Sequence, residues 1–600
     1  MTPTVRLSAA SIRIQESSLL DRLPFGLLLL VAATLPFEII QYRLTFPWFE
    51  WTNLELLVSA TILGWVLHSL FSGRLFNSKA TLTENKLALR WLLTPALLWL
   101  FLALLSAVLA PTHRVEALKF VTRFANGLFV FFLIISIVTT RRRLIALLWA
   151  LVVGTGLSAL LGMVEVAEWA IASPLLALFK DAPTFVGGEL RASASFPYAT
   201  TAAMFYEMVI PLALVLVAVT QRAAARVAAL LVALLCTTAV VLTLTRTGMV
   251  TILLLFLVML ILSLVQRRFR PLTAPVGIPL LTLLSIVGLF ALQSNTFRTR
   301  FTTENDISWY DATYLVPPTI ELDTDGETPI TIEVRNTGKA AWHASGEHAY
   351  ALGYRWMSED GQHALQLPRR TFSLPTDVLP GESAQVSAVI QSDLPPGAYR
   401  IAWSMLQHDI LWFHHRGVAE GETVVHIPDE ESSRPASPPP PTPSVETTEA
   451  LPQFPTTVGR RDLWQAALLM WRERPFLGVG PDNFRHLYGS YIGLAQWDTR
   501  IYANNLYLEL LATLGLLGIL AFGWLLLTAA RPLLRILRNQ QGGYLVLLAV
   551  GIAGSLLAFL LHGLLDYFLG VTSIATLFWV VLGLGVVVAH WQEGARESGC

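Results

Sequence analysis

Residues 242–270 read LTLTRTGMVTILLLFLVMLILSLVQRRFR, and this stretch decides what kind of protein the chain is. Between Arg246 and Arg267 lie twenty residues without a charge, enough helix to cross a hydrocarbon core of roughly 30 Å. The run closes on RRFR, a basic flank of the kind that stays in the cytoplasm. Its other end carries one arginine, Arg246, at the opposite membrane face.

Comparable runs recur outward from it. Spans are expected near 23–41, 53–71, 91–110, 118–139, 143–165, 201–220, 224–243, 247–266, 273–293, 504–528, 544–565 and 570–590, twelve in all. Of 600 residues, 54% are hydrophobic and 14% charged, and mean hydropathy is +0.56. A soluble chain this apolar could not cover its surface with polar groups. With the N-terminus inside, the inner segments carry nineteen basic residues and the short outer ones seven, so both termini are expected in the cytoplasm. The N-terminal MTPTVRLSAASIRIQESSLLDRL lacks the pattern of a cleavable signal, and the first apolar run is expected to be retained as a span. The expected fold is a polytopic α-helical protein of the cytoplasmic (inner) membrane, with helices 1–9 in residues 1–293 and helices 10–12 in 504–592.

Net charge is zero, which gives no reason to expect nucleic-acid binding. The two cysteines, Cys236 in an apolar run and Cys600 at the end, support neither a disulfide framework nor a metal site. No metal and no cofactor are expected.

The long stretch 294–503 then lies outside the membrane. After a connecting segment (294–315), residues 316–428 alternate with period two in PITIEVRNTG, SAQVSAVIQ and GAYRIAWSML. Turn signals separate about seven short strands, the pattern of an extracytoplasmic all-β sandwich similar to immunoglobulin-like domains. Its Trp342, Trp356, Trp403 and Trp412 suit sugar rings, or fill a core. Residues 429–456 include PASPPPPTPSVETT, a stiff linker. In 457–503, Leu463, Ala466, Ala467 and Met470 recur at helical spacing and Pro475 stops the pattern.

Polar residues at the outer face carry the chemistry. An arginine near a span centre costs about 2.5–3.5 kcal/mol, so Arg246 and Arg191 need a reason. Guanidinium groups can hold a diphosphate bidentately and neutralise a leaving group; the alternative is snorkelling to the headgroups. Lys119 and Arg123, one helical turn apart, either extend that basic surface or anchor at the interface. His562 and Asp566 share a helix face at i,i+4, where a carboxylate beside an imidazole makes a general base or a simple helix-end pair. Glu165, Glu168 and Glu207 are further outer carboxylates. No nucleotide-binding or metalloprotease motif occurs.

Five segments, ASFPYATTAAMFYEMVIPLAL (194–214), LTLTRTGMVTILL (242–254), RRDLWQAALLMWRERPFLGVGPDNF (460–484), YANNLYLELLATLGLLGIL (502–520) and GLLDY (563–567), together resemble the O-antigen ligase / O-antigen polymerase family. Such membrane glycosyltransferases act on polyprenyl-diphosphate-linked glycans outside the cytoplasmic membrane. The resemblance implies Arg191 and Arg246 as the grip on the donor diphosphate, with Tyr198, Asn505 and Tyr507 beside the substrate. It also implies a base at the start of an H-N-x-Y-L motif, but that position holds Asn504, which has no titratable nitrogen. Either another group (His486, Asp566 or Glu207) is the base, or the reaction needs little base catalysis, or the chain only binds glycan-lipids. The implied partners are a polyprenyl-diphosphate-linked glycan donor, a glycan or lipid-glycan acceptor and the bilayer. A transporter or flippase of lipid-linked glycan is the competing expectation.

Overall fold

The computed structural model describes residues 19–597 except 47–48, 72–85, 181–182, 187–188, 303–308, 323–326, 347, 360–364, 366, 368–369, 392–393, 409–410, 429–457, 495–496 and 539–542. The N-terminal residues before Leu19, the proline-rich linker and Cys600 lie outside the described residues. Helices α1 (Leu19–Thr34), α2 (Asn53–Phe71), α3 (Lys86–Val108), α4 (Arg114–Ile137), α5 (Arg141–Val166) and the short α6 (Ser173–Leu176) come first. Then follow α7 (Ala199–Val219), α8 (Ala223–Leu242), α9 (Arg246–Val265), α10 (Thr273–Gln293) and α11 (Asn295–Thr302). Beyond a β-rich region stand α12 (Arg460–Glu473), α13 (Phe484–Tyr491), α14 (Leu506–Arg538), α15 (Tyr544–His562) and α16 (Thr572–Glu597).

Among the described residues, ten helices are long and apolar enough to cross a membrane, and two shorter apolar helices, Arg22–Thr34 and Leu92–Val108, stand at the first and third expected spans. The chain is a multi-pass membrane protein. The first helix stops at Thr34 rather than near residue 41. Pro36 disfavours helix at the residue before it, and Asn53 captures the exit: Ile39 N–H donates to its Oδ1 (2.8 Å) while its Nδ2 donates to Phe37 O (2.8 Å). Helices α7 and α16 form the centre, each 94% buried over its spanning window, whereas α10 is 28% buried and faces outward.

The expected tenth span differs most from its sequence reading. Helix α14 begins at Leu506 and is broken at Gly515, whose φ of 66° and ψ of −168° are not helical. Backbone freed within a membrane must be satisfied by protein, and the PFLGVG segment does so. Leu516 N–H donates to Pro475 O (2.8 Å) and Leu517 N–H to Phe476 O (3.2 Å), while Val479 and Gly480 N–H donate to Ala512 O and Thr513 O (both 3.0 Å). Ser106 Oγ donates to Leu477 O (2.6 Å). The approach is so close that a Cβ on Gly515 would stand 2.4 Å from Phe476 C, and one on Gly478 2.4 Å from Thr513 C. Helix α12, which leads into this segment, buries the four residues its periodicity pointed to.

The β-rich region comprises β5 (Ala312–Leu315), β6 (Thr319–Glu321), β7 (Glu327–Asn336), β8 (Tyr350–Met357), β9 (Arg370–Ser373), β10 (Ser383–Gln391), β11 (Gly397–Gln407), β12 (Leu411–Trp412) and β13 (Gly421–Ile427). One sheet has the order β10-β7-β5 and the other β6-β13-β11-β8-β9, with β12 on β11. Both contribute to a single core that also takes in Trp309 and Tyr310. The region thus begins ahead of residue 316, because WYDATYL (309–315) supplies an edge strand and two core aromatics. Trp342, Trp356 and Trp403 are at most 2% exposed and belong to that core, so of the two readings of these tryptophans the core filling holds for these three. Two small hairpins, β1 (Leu44–Phe46) with β2 (Phe49–Trp51) and β3 (Thr184–Val186) with β4 (Glu189–Arg191), join helices in the membrane part. Phe185 of the second hairpin packs edge-on against His348 of the β region, centroids 5.1 Å apart.

Candidate functional site

Arg191 ends β4 and is 9% exposed. Its Nε–H donates to Thr243 O (2.8 Å) and Nη2 to Thr245 Oγ1 (3.1 Å), so the TLTRTG turn holds one arginine just before supplying the other, Arg246, as the first residue of α9. The turn is strained for the purpose: Leu244 has φ 51°, a left-handed conformation that costs a non-glycine residue about 1–3 kcal/mol. Ala194, three residues past Arg191, has the same φ. The intervening backbone is pinned by Glu165, which accepts from Ser193 N–H (3.1 Å) and Ala194 N–H (2.6 Å) and pairs with Lys180. Burial pushes the Lys180 ammonium down, and Glu165 opposes it. Glu165 and Lys180 thus build the platform that fixes Arg191, an arrangement that no local spacing announces.

Glu207, from the centre of α7, and His562, the last residue of α15, are both 0% exposed. His562 Nδ1 lies 2.9 Å from Glu207 Oε2 and 3.1 Å from Oε1. His562 Nε2 stands 4.0 Å from Asp566 Oδ2, too far for a hydrogen bond, and it has no hydrogen-bond partner among the described residues. Leaving a buried polar atom unpaired costs about 1–3 kcal/mol. The i,i+4 pair read from sequence is therefore subordinate to a partner 355 positions away. Gly248 links this group to the arginines: a Cβ there would meet Glu207 Oε1 at 2.8 Å, so TRTG needs its glycine to let α9 pass the carboxylate. Burial pushes the Asp566 carboxyl up, opposed by His562, Arg460 and Arg191. Arg460, at the start of α12, went unnoticed in the sequence; the basic pair RR at 460–461 was its only signal.

The motif segment lies against the same turn. Leu506 N–H donates to Gly563 O (2.7 Å), Asn505 Nδ2 to Leu564 O (2.8 Å) and Tyr507 Oη to Leu560 O (2.9 Å). Asn505 Oδ1 also accepts from Tyr507 and Leu508 N–H (3.0 and 2.9 Å), so Asn505 and Tyr507, expected beside the substrate, cap α14 and fasten it to α15. Asn504 takes φ 48°, a conformation asparagine tolerates. Tyr198 is 47% exposed at the N-terminal end of α7.

His486 belongs to a different group. Its ring stacks on His113 (4.7 Å, 19°), and its neighbour Arg485 pairs with Asp482 (2.7 Å), which also accepts from Tyr502 Oη (3.1 Å). Burial, Arg485 and His113 push the His486 imidazole down. Lys119 is joined to this side through Glu116 (3.2 Å), while Arg123 acts on Glu38 and Tyr567. Among the described residues no group of three or more His, Cys, Asp or Glu is arranged to hold a metal ion.

A multi-pass membrane scaffold with two arginines meeting at one turn, a buried carboxylate–imidazole and a helical segment clamped into a broken helix is the setting for comparison with known families. A family model described as O-antigen ligase matches residues 451–523, the segment that runs through α12, the PFLGVG insertion, α13 and the first part of α14. Over that segment the chain is similar to O-antigen ligases, which supports a part in O-antigen ligase-type surface polysaccharide biosynthesis. No curated protein matches the chain.

Proposed function

We propose that the chain is a glycosyltransferase that polymerises or transfers polyprenyl-diphosphate-linked oligosaccharide on the outer face of the cytoplasmic membrane, with both termini cytoplasmic. The observation that carries this reading is the convergence of Arg191 and Arg246 on one strained turn beside Glu207, in a chain with an O-antigen ligase domain. An acceptor sugar hydroxyl attacks the anomeric carbon, and polyprenyl diphosphate leaves. The two guanidinium groups take up the charge that develops on the diphosphate, preorganised in a site shielded from water. Basic asymmetry across the spans supports the orientation.

Arg246→Ala should insert normally yet lower surface polysaccharide by about 100-fold or more, the scale of losing a transition-state donor. Polymer of normal length and amount from that variant would overturn the reading. With purified protein, glycan that stays on its original lipid but crosses the bilayer would favour a flippase instead.

A further inference from the structure

We infer that His562, oriented by Glu207, takes the proton from the acceptor hydroxyl, the task that the family motif gives to a histidine at the position of Asn504. The inference rests on the transferase reading above and names a catalytic group within it.

Four observations carry it. Nδ1 is engaged by both oxygens of Glu207, which fixes the tautomer with the proton on Nδ1 and leaves the Nε2 lone pair available. Phe568 packs edge-on to the imidazole (5.0 Å, 87°), so the ring plane is held from a second direction. Nε2 is buried without a hydrogen-bond partner among the described residues, and it stands 4.0 Å from Asp566 Oδ2, beyond a direct hydrogen bond. Finally, the motif segment is tied by hydrogen bonds to Leu560, Gly563 and Leu564, the residues on either side of His562. His562 thus sits on the turn to which the motif segment is bonded.

Access comes from the Asp566 side. Its side chain is 15% exposed whereas those of His562 and Glu207 are sealed. The charged groups acting on His562 are Glu207 from α7, Asp566 from its own turn and Arg460 from α12. In the step, the acceptor oxygen forms a bond to the anomeric carbon as its proton passes to Nε2. The bond from that carbon to the diphosphate breaks, and the electron pair leaves with the diphosphate against Arg191 and Arg246. The imidazolium, stabilised by Glu207, returns its proton to water after product departs. Glu207 acts through His562 and is a positioning residue.

The test uses the full chain in cells and after purification. His562→Gln should reduce polysaccharide per inserted protein by about 100-fold, within the range of lost general-base catalysis. Binding of the purified variant to undecaprenyl diphosphate should change less than about threefold. Adding Asn504→His to His562→Gln should recover at least about tenfold, which repair of packing alone would not produce. Glu207→Gln should lower turnover, and the same added histidine should rescue it. Activity of His562→Gln above a third of wild type would overturn the assignment, and so would loss without rescue in a variant that still binds undecaprenyl diphosphate. Absence of transfer by the wild-type chain would instead overturn the transferase reading itself.

Discussion

This protein holds two histidine–carboxylate groups, and they are built differently. Around His486, the imidazole stacks on His113 and the carboxylate Asp482 is already taken by Arg485 and Tyr502. Around His562, two oxygens of Glu207 close on one ring nitrogen and the other is left buried and unpartnered. The first group holds α13 to the α3–α4 turn, where Asn483 Nδ2 donates to Thr112 O (3.0 Å), although His486 Nε2 is also without a hydrogen-bond partner among the described residues. The second holds one polar atom in reserve beside the turn that fixes Arg191 and Arg246. The difference lies in burial and in what holds the ring: His486 is only partly buried and stacks on a second imidazole, whereas His562 is sealed with both oxygens of Glu207 on Nδ1.

That contrast can be broken most forcefully at the arginines. Arg191→Met keeps the stem but removes the donors to Thr243 and Thr245, and should lower polymer formation by about 100-fold or more, as Arg246→Ala does. Next, His486→Gln should change polymer yield by less than about threefold, against the far larger loss from His562→Gln; equal losses would erase the distinction between the two groups. Gly515→Ala tests the scaffold under both. A Cβ there meets Phe476 backbone in a residue held at positive φ, and the substitution should cost about 2–4 kcal/mol, read as a lower melting temperature of the purified protein. The smallest effect is in pH. Because the folded-state imidazole of His486 is pushed below its ordinary value, the unfolded form binds more protons as pH falls past about 6.5. The stabilisation it contributes is complete above that value and declines below it, so hydrogen-exchange protection factors across 484–491, with the slower intrinsic exchange at low pH divided out, should fall on acidification, and His486→Gln should flatten the response.

Sequence and structure agree where the physics is local. Apolar runs mark every membrane helix because hydrocarbon selects by composition over a continuous window, and Arg191 and Arg246 stand out because charge at membrane depth is rare. Helix α12 was legible for the same reason, its buried face repeating every three to four residues. Long-range facts were not legible. Glu207 and His562 meet only because α7 packs against α15, and no periodicity encodes which helices pack. The break at Gly515 was hidden inside an uninterrupted apolar run, since glycine is also common in straight membrane helices; what breaks the helix is the inserted PFLGVG backbone, forty residues upstream in the chain. Asn504 was legible as a departure from the motif that the chain resembles, but the Glu207–His562 pair next to the motif segment was not.

The central claim is that the arginine turn and the buried imidazole form one glycosyl-transfer site. Its most direct measurement follows purified wild-type chain in liposomes containing polyprenyl-diphosphate-linked oligosaccharide, with product glycan and released polyprenyl diphosphate quantified together. The account predicts that glycan is lengthened or moved to an acceptor with one diphosphate-lipid freed per transfer, and that Arg246→Ala frees almost none. Glycan remaining on its starting lipid, with no diphosphate-lipid released by the wild-type chain, would contradict it.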